Sequence, residues 1–271
     1  MRHPTGLTRS SVLLYQDIFD YIIDELKDDL VALKECSLAS RCLLHQSRRH
    51  LFHQVTLKPL DVKVGFRQLL ISSSTPRYIK SCIIDGTHLT DYAKRRITIP
   101  TIQRLRDSLP RLTHLTLRGC TIESDLLHDK NVVDSTTSDI PLQLLELDHV
   151  TLIDTHHFPT LLLCFPSREL RLSQISVINY STAHKIPERM ANRSRASLGI
   201  RTLECDAVKN EVAIFGVLTS LLRADSVEHL TISLRQSGLG ACGKFLSVVA
   251  SSVKELDITL FLDPRESLRI L

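Results

Sequence analysis

The stretch LTHLTLRGCTI, residues 112–122, places Leu112, Leu115, Leu117, Cys120 and Ile122 in a fixed order of spacing. Leu115 and Leu117 are two apart, so both fall on one face of a strand. Cys120 stands where the chain must turn away, and its small side chain can be buried there. The spacing returns in full at Leu142, Leu145, Leu147, Val150 and Leu152. Partial copies lie at Leu170, Leu172 and Ile175, at Ile200, Leu203, Cys205 and Val208, at Val227, Leu230 and Ile232, and at Val253, Leu256 and Ile258. An early copy is Ile79, Cys82 and Ile84. Aligned on the second core position, the series is Cys82, Leu115, Leu145, Leu170, Leu203, Leu230 and Leu256, with steps of 33, 30, 25, 33, 27 and 26 residues. A period of this size makes each unit one strand plus one return segment.

The return segments carry helical stripes at Ile102, Leu105 and Leu109, at Val212, Phe215, Leu218, Leu221 and Leu222, and at Phe245, Val248 and Val249. The core spacing resembles the leucine-rich repeat, whose period is about 20–29 residues. A strand followed by a helix, stacked about seven times over residues 57–271, predicts an α/β fold. Its form is a right-handed solenoid with a parallel sheet on the concave side. The last stretch, residues 260–271, has no polar cap of the kind that closes such an array.

Residues 12–56 read differently. Ile18, Phe19, Ile22, Ile23 and Leu26 form one stripe of an amphipathic helix. Asp28 and Asp29 interrupt it and can cap a second helix, marked by Leu30, Leu33 and Leu38. Leu43, Leu44, Ser47, Leu51 and Phe52 mark a third, with Arg41, Arg48 and Arg49 on its polar side. Three short helices make a marginal unit that needs a neighbour.

Leu14-Tyr-Gln-Asp17-Ile18, then Ile22-Ile23-Asp24, Leu33, Cys36-Ser-Leu-Ala-Ser-Arg41, Arg48 and Leu51-Phe52 resemble, in order and spacing, the F-box of the fungal type. Tyr15 and Leu43 stand where that family has Pro and Trp. The resemblance implies a three-helix docking head. It would pack on a Skp-type adaptor and hang the chain on a cullin ubiquitin ligase. At the matched positions Leu14, Ile18, Ile22, Leu38 and Leu43 are expected to face the adaptor. Head plus repeats then implies a substrate receptor, with an unknown target protein held by the repeats. One alternative is a repeat scaffold whose head only caps the array.

The bulk numbers agree with a binding module. Of 271 residues, 43% are hydrophobic and only 5% aromatic, so Leu, Ile and Val must build the core. The net charge of +4 is too mild to predict a nucleic-acid partner, and the runs Arg48-Arg49 and Lys94-Arg95-Arg96 read as solvated faces. Seven scattered cysteines without a CxxC pair read as reduced core residues. With no signal-peptide core and no membrane-length apolar run, the expected setting is intracellular, in cytoplasm or nucleus.

Chemistry finds little support in the pattern. His156, His157 and Cys164 lack the spacing of a metal site. Gly238, Gly240 and Gly243 match G-x-G-x-x-G between an expected strand and helix, which leaves an enzyme with a nucleotide loop at 238–243 as a further alternative. Neither a nucleophile elbow nor a Walker loop is present. The expectation is a non-enzyme without metal or cofactor.

Overall fold

The computed structural model describes residues 9–64, 75–123, 140–179 and 198–261. Among these residues the chain is α/β, with nine α-helices and twelve strands. It opens with three helices, α1 (Arg9–Glu25), α2 (Leu30–Ala39) and α3 (Arg41–Leu51). Asp29 starts α2 by accepting the Val31 and Ala32 N–H groups at 3.0 and 2.9 Å. Ser40, in an extended conformation, ends α2 and caps α3 through the Cys42 N–H at 3.2 Å. Each cap satisfies donors that a helix start leaves unpaired.

The chain then alternates strands and helices. The order is β1 (Gln54–Leu57), α4 (Pro59–Val64), β2 (Ser81–Asp85), α5 (Tyr92–Arg95), β3 (Arg96–Thr98), α6 (Ile99–Asp107), β4 (His114–Arg118) and β5 (Thr121–Glu123). It continues with β6 (Leu142–Asp148), β7 (Thr151–Asp154), α7 (His157–Cys164), β8 (Ser167–Ser173), β9 (Ser176–Asn179) and β10 (Thr202–Asp206). Last come α8 (Glu211–Leu221), β11 (His229–Arg235), α9 (Leu239–Val249) and β12 (Glu255–Phe261). Eight strands form one parallel sheet in the order β1-β2-β4-β6-β8-β10-β11-β12, and β3-β5-β7-β9 form a second parallel sheet.

One register line runs across the larger sheet through Val55, Cys82, Leu115, Leu145, Leu170, Leu203, Leu230 and Leu256. The seven core positions aligned by spacing all lie on it, and Val55 precedes them. A second line, two residues on, holds Leu57, Ile84, Leu117, Leu147, Leu172, Cys205, Ile232 and Ile258. From Cys82 to Leu230, and from Ile84 to Ile232, every member of both lines is at most 1% exposed. These rows belong to one buried apolar core that also takes in Phe158, Phe165, Phe215 and Phe245, and its burial stabilises the fold.

β4, β6 and β8 of the larger sheet each lead to a strand of the smaller one through a corner. Gly119, His149 and Gln174 hold it with left-handed φ of 59°, 53° and 51°, and Ala207 repeats it at 47° after β10. The corner N–H groups keep the ladder going: Gly119 donates to Asp148, His149 to Ser173 and Gln174 to Asp206, at 2.9, 2.9 and 3.0 Å. The residue after each corner, Cys120, Val150, Ile175 and Val208, is buried. On the helical side α8 and α9 meet through Phe215 and Phe245, with ring centroids 5.5 Å apart. Arg106 of α6 is buried and donates to the carbonyls of Cys164 and Ile140 at 2.9 and 2.6 Å. It thereby ties α6, α7 and the approach to β6 together.

Two sequence expectations change. Val212, read as part of the α8 stripe, is exposed, and Ile214 takes the inward place. Gly240 and Gly243 are not in a loop, because α9 begins at Leu239. Of the uncapped stretch 260–271, residues 262–271 lie outside the described residues.

Candidate functional site

The head hides little of its apolar surface. Ile23 and Leu33 are the buried aliphatic residues among its described side chains. Its other internal ties are polar. Gln46 and His50 of α3 both hydrogen-bond Oδ1 of Asp24 on α1, the imidazole Nε2 at 2.6 Å. Gln16 donates to the Cys42 carbonyl at 3.0 Å. Two side chains of α3 thus converge on one carboxylate of α1 where a larger domain would use packing.

Attachment to the sheets runs through α3 and the residues after it. The His45 and Tyr78 rings meet edge to face at 5.4 Å, and Phe52 packs against the main core. The His53 carbonyl accepts the N–H groups of Lys80 and Ser81 at 2.9 and 3.0 Å.

Several apolar side chains of the head are open to solvent. Ile18 is 51% exposed, Ile22 47% and Leu38 87%, with Tyr15, Phe19 and Val31 also exposed. Leu43 is half-buried. The side chain of Leu14 lies outside the described residues, although its backbone is part of α1. Scattered exposed apolar residues are ordinary, but several on α1 and α2 of one small head are the mark of a contact surface. Sequence periodicity finds the stripe; the Asp24–Gln46–His50 cluster carries no signal that spacing alone reveals.

The outward face of the larger sheet is polar. Arg118 pairs with Asp148 at 2.9 Å, Arg171 with Glu169 at 2.6 Å and with Glu204 at 3.4 Å, and Thr116 donates to Glu146 at 3.0 Å. These pairs cross between neighbouring strands or lie along one.

The glycine motif is explained by packing. The missing side chain of Gly238 is where the Glu211 carboxyl group sits. Glu211 is buried and accepts the Arg235 N–H at 2.8 Å and the Ser237 hydroxyl at 3.3 Å. A dinucleotide site needs its backbone donors free at a helix start and no carboxylate beside the phosphates. Gly240 and Gly243 have nothing within reach of a β-carbon, so they make none of the close approaches that motif uses.

His156 and His157 are both engaged by Asp154. His156 pairs with its carboxylate at 3.0 Å, and Nδ1 of His157 accepts its N–H at 3.1 Å. Among the described residues no three His, Cys, Asp or Glu side chains are grouped to hold a metal. Burial pushes the thiols of Cys82 and Cys120 up to about 12 and that of Cys205 still higher, so these cysteines are protonated core residues. In the basic run, Arg96 pairs with Glu123 at 3.0 Å and Arg95 donates to the Leu89 carbonyl. No helix among the described residues is long and apolar enough to cross a membrane. No protein-family model matches the chain, and neither does any curated protein or solved structure.

Proposed function

We propose that this chain is the substrate-recognition subunit of a Skp–cullin–F-box type ubiquitin ligase, working in cytoplasm or nucleus. The head docks on the adaptor. The repeats form a leucine-rich solenoid whose sheet lines the concave side and holds the target protein. Its contribution is proximity: it raises the effective concentration of the target beside a charged ubiquitin carrier and performs no covalent step itself.

The observation that carries this reading is the exposed stripe of Ile18 and Ile22 on α1, together with the exposure of Leu38 on α2. A head that only capped the array would bury that stripe on its own sheet. Tyr15 and Leu43, in place of the family's Pro and Trp, predict a weaker dock than the family norm.

Binding of the purified chain to a Skp-type adaptor tests this directly. Wild type is compared with Ile18→Asp and Leu38→Asp. Both positions face water in the free chain, so both variants fold, as circular dichroism will verify. A carboxylate buried without a partner at a dock costs several kcal/mol, on the order of a hundredfold in affinity. Absence of wild-type binding leaves the capping scaffold as the reading.

A further inference from the structure

Among the described residues β12 is the last strand of the larger sheet, and it pairs with β11 along one edge. Its Leu256, Ile258 and Leu260 continue the lines of Leu230, Ile232 and Leu234, which are at most 1% exposed. Yet Leu256 is 52% exposed, Ile258 39%, Leu260 51% and the adjoining Phe261 49%. Among the described residues no strand pairs with the outer edge of β12, and such an edge templates pairing with another strand. ELDITLF, residues 255–261, contains no Lys or Pro, and its two charges, Glu255 and Asp257, alternate with the apolar line of Leu256, Ile258 and Leu260.

What covers this edge is suggested by its own pattern. Laid antiparallel on itself about Ile258, the strand sets Leu256 opposite Leu260, Ile258 opposite Ile258, Asp257 opposite Thr259 and Glu255 opposite Phe261. No like charges face each other. A two-fold axis normal to the sheet keeps the inward face inward in both copies, so the apolar side chains of each meet those of the other. The contact is isologous and closes as a pair, whereas β12 placed on the four-residue β1 of another copy would propagate without end.

We propose that β12 is a self-pairing edge, and that two copies of this chain join through it antiparallel, centred on Ile258, with their two parallel sheets becoming one. The contact area is small, so the dissociation constant falls in the micromolar range.

Sedimentation velocity of the full chain over a concentration series provides the test. Wild type shows a monomer–dimer equilibrium. Ile258→Lys sets two ammonium groups against each other on the axis and abolishes the dimer. Thr259 points outward, away from the core, so charge there leaves folding alone. Thr259→Lys meets Asp257 of the second copy at two symmetric places and tightens the dimer, on the order of tenfold, and Thr259→Asp weakens it similarly. A wild type that stays monomeric overturns the proposal and assigns the edge to residues after Phe261 or to a different protein. Association that ignores the charge at position 259 overturns it as well, because it then runs through another surface.

Discussion

The carboxyl group of Glu211 fills the space that a β-carbon on residue 238 would need. Glu211 is held there by the Arg235 N–H and the Ser237 hydroxyl, so it cannot swing away without leaving a buried group unpaired. Gly238→Ala is therefore expected to destabilise the chain by about 1–3 kcal/mol. Gly240 and Gly243 lie inside α9 with open space around them, and alanine at either should stabilise by about 0.5–1 kcal/mol. Urea midpoints of the three variants check this. A nucleotide-binding loop would demand the same cost at all three glycines.

The corners between the two sheets set a second contrast. Gly119 adopts φ 59°, and a β-carbon there would collide with the Thr87 backbone. Gly119→Ala should lower stability by about 1–3 kcal/mol. Gln174 and Ala207 hold the same left-handed conformation without being glycine, at a strain of about 1 kcal/mol each. Gln174→Gly and Ala207→Gly are expected to raise the melting temperature in thermal scans, despite the entropy that glycine adds to the unfolded chain. A fall in both variants would mean that the corner side chains contribute packing that outweighs the strain.

These corners mark how far the sequence could be read. The register of Cys82, Leu115, Leu145, Leu170, Leu203, Leu230 and Leu256 was legible because a period of two inside a period near thirty leaves few ways to align the rows. Val55 escaped because β1 has only Val55 and Leu57 to announce it. The smaller sheet escaped because its strands span three or four residues, too short for alternation to show. His149, Gln174 and Ala207 gave no turn signal, since a glycine is what spacing arguments look for there. For the head, periodicity located Ile18 and Ile22 on one stripe. It could not say whether the stripe was covered, because coverage is decided by α3 and its contact with Tyr78, far along the chain.

The head should also unfold separately from the sheets. With Ile23 and Leu33 as the buried aliphatic residues among its described side chains, the head links α1 to α3 in part through Asp24, whose carboxyl is held below its ordinary value by the His50 and Gln46 hydrogen bonds. Asp24→Ala removes the shared acceptor and is expected to cost the head about 1–3 kcal/mol. Hydrogen exchange resolves the effect: amides of α1 should lose protection while those of β4, β6 and β8 keep theirs. Equal loss in both regions would show that the head and the sheets form one cooperative unit.

His157 gives the array a pH dependence with a definite sign. Its ring is buried and Nδ1 accepts the Asp154 N–H, so the neutral imidazole is the form that fits. Burial, with a smaller effect of the neighbouring His156, lowers its pKa from 6.5 to about 4. The unfolded chain thus takes up a proton that the folded chain refuses. Above about pH 6.5 both states are neutral and the residue adds no slope. As pH falls from about 6.5 to about 4 stability falls, and the loss is complete, at up to about 3 kcal/mol, once both states are protonated. His157→Asn supplies a side-chain oxygen to accept the same N–H without titrating. Melting temperatures of the two proteins measured from pH 8 to pH 4 should run parallel above pH 6.5 and diverge below it, with wild type falling faster. Parallel curves throughout would mean that the folded chain admits the proton at position 157.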